Sequence, residues 1–341
     1  MNYFDERNIA NIVRLENILN CLPDFINEFF TGIENNTTAL TRLNYAHDLR
    51  IFFDYLCRKK FKNKNISEIS LADLEALTAS DIEMFLSYLN YYKFNGKEST
   101  NSERGKARKL ASVRTMFKYF YNREKLAKNV TAKVPLPKLH DKEIIRLDID
   151  EIVKLLNASE SGDGLTERQK KFHVKTSLRD TAILTLFLGT GIRISELVGL
   201  NVEDVNFDDN SFIVTRKGGN RVILYFSDEI ASALKKYIEQ RLNDEKTEKL
   251  KPLFLSAKYS RLCARAIENL VKKYAKIISP LKKISPHKLR STYGTSLYRE
   301  TKDIYVVAEV LGHKDVNTTK KHYAAISDDI RRDASNKVKL R

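Results

Sequence analysis

Between Lys128 and Leu147 the chain loses the helical periodicity that runs along both of its flanks. That stretch, KNVTAKVPLPKLHDKEIIRL, holds Pro135, Pro137 and many charges, and it reads as an extended linker. It divides the 341 residues into a part at 1–127 and a part at 148–341, each long enough to bury a core. Apolar residues make up 42% of the sequence, with 17 Phe and 16 Tyr, which argues against a disordered chain. The longest nearly apolar run, Ile183 to Ile192, is about half the ~20 residues that a membrane-spanning helix needs. The opening MNYFDERNIA has early acidic residues and no apolar run of the kind a signal peptide carries. Cys21, Cys57 and Cys263 are far apart, with neither a CxxC pair nor Cys/His metal spacing. A reduced, cytoplasmic setting is therefore expected.

The first part reads as helices almost throughout. LTRLNYAHDLRIFFDYL puts apolar residues at 40, 43, 49, 52, 53 and 56, one stripe of a helix that Thr37 or Thr38 can cap. Ala79 to Tyr92 begins on a Ser80 cap and sets Ile82, Phe85, Leu86 and Leu89 at helical spacing. RGKARKLASVRTMFKYFY, at 104–121, carries Leu110, Val113, Phe117, Phe120 and Tyr121 on one face. Arg104, Lys106, Arg108, Lys109, Arg114 and Lys118 lie largely off that face. From Lys93 to Lys128 there are eleven basic residues and three acidic ones, and the whole chain carries +16. Such an excess favours a polyanionic partner, nucleic acid before an anionic membrane surface. A core stripe with a basic outer face suits a phosphate backbone, although a solvated face is the commoner meaning of a charge run. Arg104, Lys106, Arg108 and Arg114 are the candidate DNA contacts. Dispersed cations and aromatics confined to core stripes do not suit membrane binding.

In the second part, LDIDEIVKLL opens a helix with Asp148 or Asp150 as cap. Leu178 to Leu188 reads as a buried helix ending at Gly189-Thr190-Gly191. SFIVTRK and RVILYF, joined through Gly218-Gly219-Asn220, form a β-hairpin. The acidic residues of 203–209 flank this β-run and read as turn chemistry. Helices follow at 228–242, 262–277, 286–299, 303–311 and about 317–326. The expected fold is mainly α with a small antiparallel β-sheet in the C-terminal domain. An all-helical N-terminal domain (1–127), a linker (128–147) and a C-terminal domain with a tail (148–341) make up the chain.

The chain has no GxxxxGK[ST] phosphate loop, no GxGxxG after a strand and no convincing carboxylate cluster for Mg²⁺. A two-metal nuclease is therefore not encouraged. Cations and imidazoles gather beside helix ends instead. Arg193 follows the Gly189-Thr190-Gly191 break, at a helix start that favours anions. Lys217 sits at the hairpin tip. Ser285-Pro286 is a cap followed by proline, with His287 and Arg290 three apart on one helical face. Gly312-His313 ends one helix, and Asn317-Thr318-Thr319 restarts another that carries His322 and Tyr323. Taken singly, each has an ordinary structural role. Arg193 can pair with Glu196, Lys217 can be a turn lysine, and His287 and His313 can serve as caps.

Taken together, GTGIRISELVGL (189–200), RKGGNR (216–221), HKLRSTYGTSL (287–297) and LGHKDVNTTKKHY (311–323) resemble the ordered motifs of the tyrosine recombinase (phage integrase-type) family. The likeness is closest to the Xer-type and small mobile-element recombinases. It covers most of 148–330, and the basic helix at 104–121 is similar to one from the family's core-binding domain. HxxR alone is weak, but HxxR followed by LGH and a nearby tyrosine is strong.

The resemblance implies a helical core-binding domain joined to a catalytic domain. It implies a site-specific recombinase that cuts one DNA strand at a time by attack of a tyrosine on a phosphodiester, forming a 3′-phosphotyrosine and freeing a 5′-hydroxyl. No metal and no ATP take part. By matching motifs, Arg193 and Arg290 grip the scissile phosphate and Lys217 protonates the leaving 5′ oxygen. His287 and His313 hold the two imidazole positions, Tyr323 is the nucleophile, and Glu196 supports the site. Double-stranded DNA is the implied partner, with four protomers on two recombination sites and room for a partner recombinase or accessory protein. Chromosome-dimer resolution and mobile-element integration or excision both stay open. In the commonest pattern the tyrosine falls nine residues after the LGH histidine, whereas here His322 stands at nine and Tyr323 at ten. Tyr323 is still the choice, because a histidine nucleophile abandons the family's chemistry; Tyr305 is a distant second. The segment before the first strong helix carries no hairpin signal, so a separate arm-binding domain is not expected.

The implied chemistry is physically coherent. Without Mg²⁺, side chains must supply the cations that face the equatorial oxygens, and guanidinium forks suit them. A poor alkoxide leaving group calls for a flexible acid such as lysine. Two rivals share parts of this reading. A type IB topoisomerase relaxes supercoils by related chemistry, but the compact size and LGHKD segment argue against it. A catalytically inactive DNA-binding protein has no need of the combined Arg193, Lys217, His287, Arg290, His313 and Tyr323.

Overall fold

The computed structural model describes residues 3–139, 145–216, 219–312 and 316–319. Lys217, His313, His322, Tyr323, the C-terminal tail and part of the expected linker lie outside them. The chain separates into two compact units, 1–142 and 143–341.

Unit 1 is built on long apolar stripes. Helix α1 (Tyr3–Leu19) is followed by α2 (Ile26–Gly32) and by α3 (Ala39–Lys59). The Thr38 hydroxyl accepts the Thr41 N–H and starts α3, as the sequence predicts. Short α4 (Leu71–Glu75) and α5 (Ala79–Tyr88) follow. Thr78 caps α5, not Ser80, because Asp81 reaches back to the Thr78 N–H and hydroxyl in a capping box. Strands β1 (Tyr92–Phe94) and β2 (Lys97–Ser99) then pair antiparallel before α6 (Glu103–Asn122). This hairpin corrects the all-helical reading of the N-terminal part. Its turn residues Asn95 and Gly96 take φ of 49° and 73°, the positive values that an Asn-Gly turn supplies most easily.

The core of unit 1 is aromatic. Phe52 and Phe53 of α3, Phe85 of α5, and Phe117 and Phe120 of α6 are fully buried. Phe52 meets Phe85 edge-to-face at 5.1 Å. The start of the expected linker belongs to this core. Residues Val130–Lys133 form a 3₁₀ turn, and Val130 and Val134 are buried with the helices. Burying these two valines outweighs the freedom of an extended segment. At the other end Leu147 is buried in unit 2, and its N–H donates to the Thr292 hydroxyl at 3.1 Å.

Unit 2 opens with α7 (Ile149–Ser161), where Asp148 is the cap and Glu151 closes the box. Helix α8 (Glu167–Thr190) is longer than the sequence suggests. Thr166, twelve residues before the apolar run begins at Leu178, forms its capping box with Gln169. Ala182 to Phe187 are buried, and α7, α10 (Asp228–Leu242) and α12 (Pro286–Thr301) pack around this helix. Between α9 (Ile194–Gly199) and α10 lies an antiparallel sheet of β3 (Val205–Asn206), β4 (Ser211–Thr215) and β5 (Arg221–Tyr225). The predicted hairpin is β4–β5, with Thr215 opposite Arg221. Strand β3 falls inside the acidic stretch read as a turn. Helices α11 (Ala264–Ile278), α13 (Ile304–Leu311) and α14 (Val316–Thr319) complete the described part.

Candidate active site

The site is organised by a glycine. Helix α8 ends at Gly191, which takes φ +61°. A Cβ there would stand 2.5 Å from Tyr293 and 2.8 Å from Leu311, so a side chain is excluded by conformation and by space. The tight turn puts Arg193 at the start of α9. Its N–H donates to Glu196 Oε2 at 3.0 Å, and its Nη1 to Glu196 Oε1 at 2.7 Å. Glu196 is buried, so the ordinary ion pair expected of an isolated arginine is present and shielded. The second arm goes further: Arg193 Nη2 donates to the Gly312 carbonyl at 2.7 Å.

Arg290 approaches the same place from α12. It is buried, and it donates to the carbonyls of Gly191 and Leu311. Ser285 starts α12 with no side-chain capping bond, and Pro286 holds the first helical position. His287 is exposed one turn before Arg290. A third guanidinium, which the motifs did not single out, completes the group. Arg216, at the end of β4, donates from Nη2 to the Val310 carbonyl at 3.1 Å. Thus Val310, Leu311 and Gly312, the C-terminal end of α13, receive Arg216, Arg290 and Arg193 respectively. A helix C-terminus carries a partial negative charge, which favours cations there. Glu196 offsets part of this charge, and the carbonyls accept hydrogen bonds from the guanidiniums without adding a further carboxylate at the end of α13. The sequence signal for Arg216 was its place inside the RKGGNR motif, next to Lys217.

The α6 cations have a different fate. Arg104 is exposed. Lys106 pairs with Glu103 at 3.0 Å. Arg108 pairs with Asp48 at 2.5 Å, and the Ser112 hydroxyl donates to the same carboxylate oxygen. Burial of Asp48 raises its pKa, against the opposing pull of Arg108. Lys109, read as lying off the apolar face, is buried and donates to Asn101 Oδ1 at 2.8 Å. Arg114 turns inward to the carbonyls of Thr131 and Val134. A helix packed on both flanks has too narrow an outer face for every cation assigned to it by periodicity. On α3, Arg50 adds a cation close to His47, as Arg108 does from α6. Burial lowers the His47 pKa, and both Arg50 and Arg108 push it the same way.

Among the described residues no cluster of three or more His, Cys, Asp or Glu side chains could hold a metal ion. No described helix is long and apolar enough to cross a membrane. Tyr305, the second choice of nucleophile, stands exposed on α13.

The two-unit helical fold with its small antiparallel sheets has counterparts among known structures. The chain belongs to the phage integrase family, whose sequence model matches residues 146–329. It is a tyrosine recombinase, an enzyme class that cleaves and rejoins DNA. It is 33% identical to tyrosine recombinase XerC of Caldanaerobacter subterraneus subsp. tengcongensis, over 94% of this chain and 86% of that one. With tyrosine recombinase XerC of Thermodesulfovibrio yellowstonii it shares 37% identity over 87% of this chain and 89% of the relative. The fold is similar to XerH site-specific recombinase bound to palindromic difH substrate in a post-cleavage complex. The TM-score is 0.67 at 20% identity, covering 89% of this chain and 81% of that one. It is also similar to the Tn1549 transposon integrase in complex with circular intermediate DNA, at TM-score 0.64 and 20% identity over 89% and 96% of the two chains.

Proposed function

We propose that this chain is an Xer-type site-specific recombinase that breaks and rejoins duplex DNA through a 3′-phosphotyrosine at Tyr323. The observation that carries the reading is the convergence of Arg193 and Arg290 on the end of α13, immediately before His313 in the chain. Two guanidiniums already fixed in position can receive a phosphodiester without reorganising, and such preorganised donors are each worth ~3–4 kcal/mol in the transition state. The tyrosine Oη forms a bond to phosphorus as the bond to the 5′ oxygen breaks. Lys217 gives that oxygen its proton, and the imidazoles of His287 and His313 hydrogen-bond the remaining oxygens or take the phenol proton. Glu196 keeps Arg193 in place. The freed 5′-hydroxyl then attacks the phosphotyrosine of the partner strand, so no external energy source is needed.

In this reading unit 1 binds DNA through Arg104, Lys106 and Arg108, joined by His47 and Arg50, and unit 2 carries the chemistry. Arg114 holds unit 1 together instead of touching DNA. Four protomers assemble on two sites in the cytoplasm. Each neutralised phosphate contributes about −0.9 to the slope of log affinity against log salt. The test is covalent trapping on nicked duplexes drawn from the DNA flanking the gene, with Tyr323→Phe, His322→Ala and Tyr305→Phe run beside the wild type. A DNA-linked band lost only in Tyr323→Phe is expected. A band that survives in that variant overturns the assignment of the nucleophile.

A further inference from the structure

Arg216 makes contacts that no role in the proposed chemistry requires of it. Its guanidinium lies against Gly312, where a Cβ would overlap it, and Gly312 sits at φ +62°. Nη2 donates to the Val310 carbonyl at 3.1 Å. Its own backbone closes the end of the hairpin. The Arg216 N–H donates to the Asn220 carbonyl at 2.8 Å, and its carbonyl accepts the Gly219 N–H at 3.0 Å. Nε is buried with no partner among the described residues. Burial makes the charge costly, Glu196 favours it and Arg193 opposes it. A half-buried arginine wedged beside a second arginine is a poor choice for stability alone.

We propose that Arg216 is a positioning residue that ties the end of the β4–β5 hairpin to the C-terminal end of α13. Arg216 precedes Lys217 in the chain, and Gly312 precedes His313. Consecutive Cα atoms are ~3.8 Å apart, so one contact sets the origin of both neighbouring side chains. A lysine on a flexible four-carbon stem delivers a proton well only from a fixed backbone. Gly312 is required because any side chain there would displace the guanidinium. The inference rests on the reading of Lys217 as the acid for the leaving 5′ oxygen.

The experiment uses the full chain and the duplex that gives covalent trapping, with either oxygen or sulfur at the bridging 5′ position of the scissile phosphate. A thiolate leaves without needing a proton. Arg216→Ala is expected to slow single-turnover cleavage of the oxygen duplex by about 100-fold, the scale of a small misplacement, and to leave the sulfur duplex close to wild type. Gly312→Ala, which attacks the same contact from the other side, should also slow cleavage of the oxygen duplex, and Arg216→Lys should recover part of the rate. Unchanged DNA affinity at fixed salt certifies the fold of each variant. Equal loss on both duplexes in Arg216→Ala, with oxygen-selective loss in Lys217→Ala, overturns the proposal and leaves Arg216 a phosphate-facing or purely structural charge. Equal loss on both in Lys217→Ala instead overturns the reading of Lys217, and the tie with it.

Discussion

Arg108 and Arg290 both project from long helices, and they differ in what takes their hydrogen bonds. Arg108 in unit 1 meets the carboxylate of Asp48, as Lys106 meets Glu103. Arg290 in unit 2 meets the backbone carbonyls of Gly191 and Leu311, and Arg216 meets that of Val310. A carboxylate satisfies the donors and cancels the charge. A carbonyl satisfies the donors and leaves the charge. Unit 1 therefore offers a surface whose basic residues are partly neutralised, fit to hold many phosphates weakly. Unit 2 gathers Arg193 and Arg290 at one helix end with the single carboxylate of Glu196 beside them, an arrangement that in the proposed reading holds one phosphate strongly. The count of basic residues along the chain does not distinguish these two uses.

The strongest way to break this comparison is at Arg290. Arg290→Ala should lower the rate of covalent trapping by about 10²–10³-fold, the scale for one preorganised donor, while DNA affinity changes little. A comparable loss of affinity would place Arg290 with the surface contacts of unit 1. Next comes acid stability. Burial pushes the Asp81 carboxyl up, but hydrogen bonds from Lys60 and Thr78 outweigh it and hold the group below its ordinary value. Lys60 is well exposed, so the capping bonds to Thr78 carry most of the effect. Asp81→Asn should cost about 1–2 kcal/mol at neutral pH. A depressed folded value means that this stability is present above the ordinary carboxylate range and is lost as pH falls through the depressed value. Urea unfolding at neutral pH and at ~pH 3 should therefore show the gap between variant and wild type closing in acid.

Two smaller effects sharpen the comparison within α6. Arg114→Ala removes the inward bonds to Thr131 and Val134, so unit 1 should lose about 1 kcal/mol in urea unfolding. Its salt dependence of binding should stay unchanged. Arg104→Ala should do the reverse. Its thermal midpoint should match the wild type, and its binding slope against salt should become shallower by about one. A shallower slope in Arg114→Ala would return that residue to the DNA contacts and widen the basic face again.

Much of the candidate site is legible in the sequence. The stripe at 40–56, the Asp148 cap, the 211–225 hairpin and the proline start of α12 all rest on interactions within a few residues, which periodicity and capping rules read directly. The motifs placed Arg193, Glu196, His287 and Arg290 on helix ends. Some local signals were present and outweighed. Asn95-Gly96 marks a turn, but its strands are three residues each, too short to show an alternation between helical neighbours. The polar first half of α8 hid its start, since its capping box precedes a solvent-facing turn.

What the sequence by itself determined is the order of helices, the one hairpin of the second part and the positions of the candidate groups along them. Only the tertiary structure decided where those groups point. Arg193 meets Gly312 across 119 residues, Arg108 meets Asp48 across 60, and Arg290 meets Leu311 across 21. No local rule reaches over such separations, because the partners are brought together by the burial of apolar faces that belong to other helices. The same packing turned Lys109 and Arg114 inward and brought Arg216 into the cluster. Helical phase assigns a side chain to a face, and the neighbours packed on that face decide whether it meets solvent, a carboxylate or a backbone carbonyl.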